Sequence, residues 1–159
     1  MATILEARGV NVDYTPNGAA TVHAVRGVDL SGANFTPAAL QGLDRFKNLQ
    51  EINVESSGLT DADVKVLARY KNLQGLNLEN TKVTAAALEL LAELKDLRSL
   101  NLGGCRVTDA GVKRLAGLEK LRSLTLHNTQ LTDAGLKDLA GLKDLARLSV
   151  GDTRVTDAG

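Results

Sequence analysis

The chain holds 159 residues, 43% hydrophobic, 24% charged and 3% aromatic, a length and mix that suit one folded domain with a sizeable core and argue against disorder. Lys plus Arg equals Asp plus Glu at 19 each, so no global electropositive field exists to hold nucleic acid or anionic lipid. One cysteine, Cys105, rules out an internal disulfide or a multi-cysteine zinc site, and no apolar run nears the roughly 18 residues a spanning helix needs.

The start, Met1 to Glu6, lacks the basic-then-apolar layout of a secretion signal; this favours a cytoplasmic placement and leaves the compartment open. Leu5 to Arg8 followed by Gly9 reads as a helix tail with a glycine cap. Val10, Val12 and Tyr14 alternate, Thr15-Pro16-Asn17-Gly18 makes a turn, and Val22 and Ala24 alternate again. This predicts a β-hairpin. Residues 1–24 are therefore expected to be an N-terminal cap over the first apolar layer of the remaining chain. His23, in that hairpin, reads as a surface histidine rather than a catalytic base.

From residue 25 a period takes over. Leu49, Leu73, Leu97, Leu121 and Leu145 stand 24 residues apart. Ile52, Leu76, Leu100, Leu124 and Leu148 keep that phase, as do Val54, Leu78, Leu102, Leu126 and Val150. So do Leu59, Val83, Val107, Leu131 and Val155, each followed by Thr. A divergent first copy runs through Val25, Val28, Leu30, Phe35, Thr36, Leu40, Leu43 and Phe46. Residues 25–159 thus divide into five full units and a truncated sixth.

Each unit mixes two periodicities. Leu97, Leu100 and Leu102 end with apolar residues two apart, as a short strand needs, and Thr108 to Ala116 reads as helix. Thr108 suits the N-cap, and Asp109 faces the positive end of the dipole. Thr36-Pro37 repeats this logic, and Asp63 can reach back to Thr60 in a shortened capping box. Ala85 removes the acidic residue from one unit, which predicts a less stable helix start there. Strand, helix and strand again at a constant period mean parallel strands joined by short crossovers. Stacking makes one continuous core, strands on one face and helices on the other. Helices pack 8–10 Å apart and strands ~4.8 Å apart, so the stack curves with the sheet inside.

The pattern LxxLxLxx(T/C)x(V/L)TDAGLKxLAxLKxL resembles the leucine-rich repeat proteins, most of all the 24-residue bacterial type, which is similar to the cysteine-containing variant. The resemblance implies an α/β, right-handed horseshoe solenoid whose usual role is protein binding. It covers about 135 residues. The family's commonest form has Asn where this chain has Ala33, Ser57, Thr81, Cys105, Thr129 and Thr153. Hydroxyls replace that asparagine weakly and Ala33 cannot, which predicts an irregular first unit. At the other end the chain stops at a helix start, leaving Leu139, Leu142 and Leu145 in an unfinished layer; further repeats or another molecule are expected to cover it.

Chemical motifs are nearly absent: no phosphate loop, nucleophile elbow or metal spacing. Cys105 reads as a small buried hydrophobe. Ser123 and His127 share a strand about 13 Å apart, too far for a dyad. Asp109, Asp133 and Asp157 recur with the helix cap. No catalytic residue, cofactor or metal is assigned, and the chain is read as a non-enzyme.

Function is sought on the outward strand positions. Asp29, Glu51, Glu55 and Glu79 make one half acidic; Asn53, Asn77, Asn101, Thr125 and Arg147 continue the face; His127 lies between Gly103 and Gly151. A basic protein or peptide segment is expected along the acidic end, touching His127 where the glycines leave room. Nucleic acid and membrane are not expected. The rim column Asn34, Gly58, Lys82, Arg106, Gln130 and Arg154 reads as local neutralisation of those acids. On the helical side Val66 and Leu90 fall in one outward column, a candidate apolar patch. The face offers on the order of 400 Å² against about 800 Å² per partner in a standard interface, so binding by this chain alone is expected to be weak. The alternatives are a recognition segment of a larger multidomain enzyme, such as a kinase or ubiquitin-ligase effector, and a structural spacer.

Overall fold

The computed structural model describes residues 26–32, 40, 42–46 and 48–159. The expected hairpin over residues 1–24, His23, Ala33, Asn34 and the Thr36-Pro37 helix start lie outside the described residues. Six three-residue strands form one parallel sheet in chain order: β1 (Gly27–Asp29), β2 (Glu51–Asn53), β3 (Gly75–Asn77), β4 (Ser99–Asn101), β5 (Ser123–Thr125) and β6 (Arg147–Ser149). The register follows the sequence period: Val28 pairs with Ile52, Ile52 with Leu76, Leu76 with Leu100, Leu100 with Leu124 and Leu124 with Leu148.

Pairing continues past each strand. Val54 N–H donates to Asn77 O at 3.0 Å and Ser56 N–H to Glu79 O at 2.8 Å, and each later repeat copies this. A left-handed residue then ends the run: Gly32, Ser56, Asn80, Gly104, Asn128 and Asp152, with φ from 53° to 69°. Gly, Asn and Asp tolerate this conformation best, and Ser56 is the departure.

The opposite side carries α1 (Asp61–Leu67), α2 (Ala87–Leu91), α3 (Asp109–Val112) and α4 (Asp133–Asp138). The helix expected from Thr108 to Ala116 is α only to Val112 and continues as a 3-10 turn over Lys113–Gly117; Leu139–Gly141 does the same after α4. A 3-10 turn rises about 2.0 Å per residue against 1.5 Å for α, so few residues cross the back of the sheet. Helix α2 starts two residues later in the period than α1 and α3, as the missing acid at Ala85 predicts.

Helix starts are tied between repeats. The sequence places Asp109 on its own helix end, but its carboxylate serves the next unit: it accepts from Thr132 N–H at 2.9 Å and from the Thr132 hydroxyl at 2.6 Å. Asp61 holds Thr84 at 2.7 and 2.6 Å, and Asp133 holds Thr156 at 2.7 Å twice. The recurring aspartate is therefore a clamp between units rather than only a cap. Close approach explains the glycine two residues on: a Cβ at Gly135 would collide with the Asp109 carboxylate, and one at Gly111 would come 2.8 Å from the Ala85 Cβ. The capping box at Thr60 forms as expected, with Asp63 accepting from Thr60 N–H at 2.9 Å and its hydroxyl at 2.8 Å.

Between sheet and helices runs one apolar core, from Val28 to Leu142, with Leu73, Leu78, Val83, Leu88, Leu91 and Leu94 wholly buried. Leu139 and Leu142 are buried too, contrary to their expected place in an open layer, because Leu136, Leu145, Val150 and Val155 pack on the core around them. The exposed apolar side chain at that end is Leu148, at 39%. Val66 and Leu90 are half-buried against the core, which removes most of the expected outward patch. Among the described residues no buried side-chain nitrogen or oxygen lacks a hydrogen-bond partner.

Replacing Leu100, buried between β3 and β5, by Ala is expected to lower stability by about 2–5 kcal/mol, whereas Ser99→Ala changes it by less than about 0.5 kcal/mol; urea unfolding distinguishes them. The Thr156 N–H and then its hydroxyl, with a smaller contribution from the Lys137 charge, hold the Asp133 carboxyl below the usual range. The folded chain thus binds that proton more weakly than the unfolded one. The tie is intact above the ordinary carboxyl range of about 3.9 and is lost as pH falls below it. The Thr156 amide should keep its hydrogen-exchange protection down to about pH 4 and lose it only below that, while the Leu102 amide, bonded to Thr125 O at 2.9 Å, keeps its own.

Candidate functional site

Alternation along each strand sends one residue in three inward and its two neighbours outward. The outward residues form rows across the sheet: Gly27, Glu51, Gly75, Ser99, Ser123 and Arg147 in the first, Asp29, Asn53, Asn77, Asn101, Thr125 and Ser149 in the second. The extended ladder adds a third row of Ser31, Glu55, Glu79, Gly103, His127 and Gly151. Residues of the first two rows line an open groove of about 550 Å³ running from β1 to β5. The structure thus brings together all ten residues singled out in the sequence on one face, with Arg147 on the last strand beyond the groove.

The second row organises the third. Each Asx oxygen accepts from the backbone N–H two residues on: Asp29 from Ser31 at 2.9 Å, Asn53 from Glu55 at 3.1 Å, Asn77 from Glu79 at 3.0 Å, Asn101 from Gly103 at 3.0 Å. These Asx turns hold the chain straight until the left-handed residue. The other end of the amide reaches back one repeat. Asn77 Nδ2 donates to Glu55 at 3.1 Å and Asn101 Nδ2 to Glu79 at 2.7 Å.

His127 joins this network rather than waiting for a partner. Its Nε2 lies 3.3 Å from Glu79 Oε1, two strands away. It crosses Gly103, which is buried under the ring; a Cβ there would overlap the imidazole. The room expected beside His127 is therefore filled on the Gly103 side by His127 itself, while nothing stands within 4 Å of the Cβ position at Gly151. Glu55 and Glu79 are hydrogen-bonded. Glu51 is not: it stands between Gly27 and Gly75, whose Cβ positions lie 3.6 and 3.2 Å from its side chain. Among the described residues the rim cations Lys82, Arg106 and Arg154 form no ion pair with these acids; His127 is the base that meets Glu79.

A leucine-rich repeat family model matches residues 47–107, the stretch that holds the asparagine turns at Asn53, Asn77 and Asn101, and the same strand register continues on both sides of it. Residues 47–107 therefore carry leucine-rich repeats. Solved structures agree in fold. An internalin from Listeria monocytogenes is 24% identical with a TM-score of 0.61 over 84% of this chain and 44% of its own. An internalin C2 from the same organism is 19% identical, with a TM-score of 0.56 over 84% of this chain and 74% of its own. The plant peptide hormone receptor RGFR1, in complex with RGF2, is 21% identical, with a TM-score of 0.55 over 77% of this chain and 19% of its own. The chain spans less than half the length of the first internalin. No curated protein matches it.

Within these repeats the column that departs from asparagine works differently from a ladder between units. Thr81, Thr129 and Thr153 hydroxyls donate to the carbonyls of Leu78, Leu126 and Val150 in their own repeats, at 2.7, 2.7 and 2.6 Å. Cys105 crosses a repeat boundary, donating to Leu78 O at 3.1 Å and lying 3.5 Å from the Thr81 hydroxyl. Burial pushes its thiol pKa up, which keeps it protonated and matches the reading of a buried hydrophobe. Among the described residues no three His, Cys, Asp or Glu side chains are placed to hold a metal, and no helix is long and apolar enough to cross a membrane.

Gly103→Ala should push the His127 ring off Glu79 without unfolding the chain. The histidine ring resonances in an NMR spectrum are expected to move as they do in Glu79→Gln; unmoved resonances would contradict the crossing contact.

Proposed function

We propose that this leucine-rich repeat chain is a protein-interaction module that takes its partner on the strand face, at Asp29, Glu51, Asn53, Glu55, Asn77, Glu79, Asn101, Thr125, His127 and Arg147. The observation that carries the reading is the groove of about 550 Å³, floored by small and polar residues and bearing an unshared carboxylate at Glu51. The plant receptor, whose fold is similar, was solved in complex with RGF2, which supports a binding role for this fold. The partner is a protein or peptide with a basic segment over Asp29 and Glu51. Glu55, Glu79 and His127 shape the wall of the site, since their side chains are bonded to one another and to Asn77 and Asn101. On this reading residues 1–24 are the cap and 25–159 the repeats.

The face is on the order of 400 Å², half a standard patch, so affinity is modest. Reversing Glu51, Glu55 and Glu79 together to Lys should reduce recovery of partners on the immobilised chain at least tenfold while leaving the circular dichroism spectrum unchanged. Equal recovery by both proteins would contradict binding at this face and favour a spacer.

A further inference from the structure

The first row of the strand face carries one unshared charge of each sign. Glu51 on β2 and Arg147 on β6 stand in one register line through Gly75, Ser99 and Ser123. Neither side chain has a hydrogen bond or ion pair with any described residue, and both are exposed. Between them the line holds only a glycine and two serines, so backbone lies open along it. The second and third rows bound it on one side; there Glu55 is taken by Asn77, and Glu79 by Asn101 and His127, while Asp29 bonds only the Ser31 N–H. The row therefore carries a negative charge on β2, inside the groove, and a positive one on β6, just past its end.

We propose that this row binds an extended peptide lying across the strands, with a basic side chain over Glu51 and an acidic one over Arg147. The proposal rests on the strand-face site and adds the polarity and length of the segment. Four strand steps of about 4.8 Å separate the two charges by about 19 Å, and an extended chain advances about 3.3 Å per residue. The partner's two charges are thus six positions apart. That even spacing puts both side chains on the same face of the peptide, toward the sheet. Low side chains at Gly75, Ser99 and Ser123 let its backbone come close between them. Asp29, on the strand beside Glu51, reinforces the basic end.

The test is a selection from a random peptide library displayed on phage against the immobilised chain and two variants, Glu51→Ala and Arg147→Ala. Both positions are exposed, so both variants fold. The expected wild-type sequences share Lys or Arg and Asp or Glu six positions apart. The Glu51→Ala selection loses the basic preference, and Arg147→Ala loses the acidic one. Affinity of a selected wild-type peptide falls up to about fivefold in each variant, as for an exposed pair. No enriched sequences, enrichment of basic residues alone, or both charges persisting in the variants would overturn the proposal. A benzophenone attached at Ser99→Cys separates the two levels. Selected peptides that cross-link there without the paired charges overturn the polarity and leave the strand-face site standing; selected peptides that do not cross-link there overturn both.

Discussion

No element among the described residues is long enough to stand alone. A three-residue strand has no neighbour within its own unit, and helices of four to seven residues are far below the length at which an isolated helix persists in water. Each unit therefore depends on burying its leucines against the unit before and after it. That mutual dependence fixes the rest of the molecule: the exact 24-residue register, the single core from Val28 to Leu142, and the outward rows that form the groove.

Polar groups add to the same coupling at three levels of each unit. Strand amides pair across the sheet. Asn77 and Asn101 reach back to Glu55 and Glu79 on the inner face. Asp61, Asp109 and Asp133 reach forward to threonines where the helices begin. Where Ala85 interrupts the last series, α3 still begins at Asp109, while Thr84, ahead of α2, keeps its tie to Asp61. Side chains that look like local caps are thus bridges between units, each joining residues about one period apart.

This coupling explains how much of the molecule is legible in the sequence. Apolar columns such as Leu49, Leu73 and Leu97 recur in phase, so strands, core and outward rows follow from counting. The left-handed column is marked too, because Gly32, Asn80, Gly104, Asn128 and Asp152 favour that conformation. The contact of His127 with Glu79 is not. It joins two repeats across a third, and it depends on Gly103 offering no side chain while its neighbours do. Periodicity shows which positions face the groove; it does not show which side chains spend their hydrogen bonds on one another. That difference separates Glu51, which is unshared, from Glu55 and Glu79, which are not. The aspartate clamps are hidden for the same reason: Asp109 matches a helix cap within its own unit, and only the stacked structure shows its carboxylate on Thr132.

Core and groove alike rest on units stacked as parallel strands in a 24-residue register. Paired cysteines test that register most directly. Neighbouring strand residues lie about 4.8 Å apart, within disulfide range, while a diagonal pair lies beyond about 7 Å. Under mild oxidation the double variant Ser99→Cys with Ser123→Cys is predicted to form an intramolecular disulfide readily, and Ser99→Cys with Thr125→Cys to form little. Equal cross-linking in both, or efficient bonding only in the diagonal pair, would contradict the stacking.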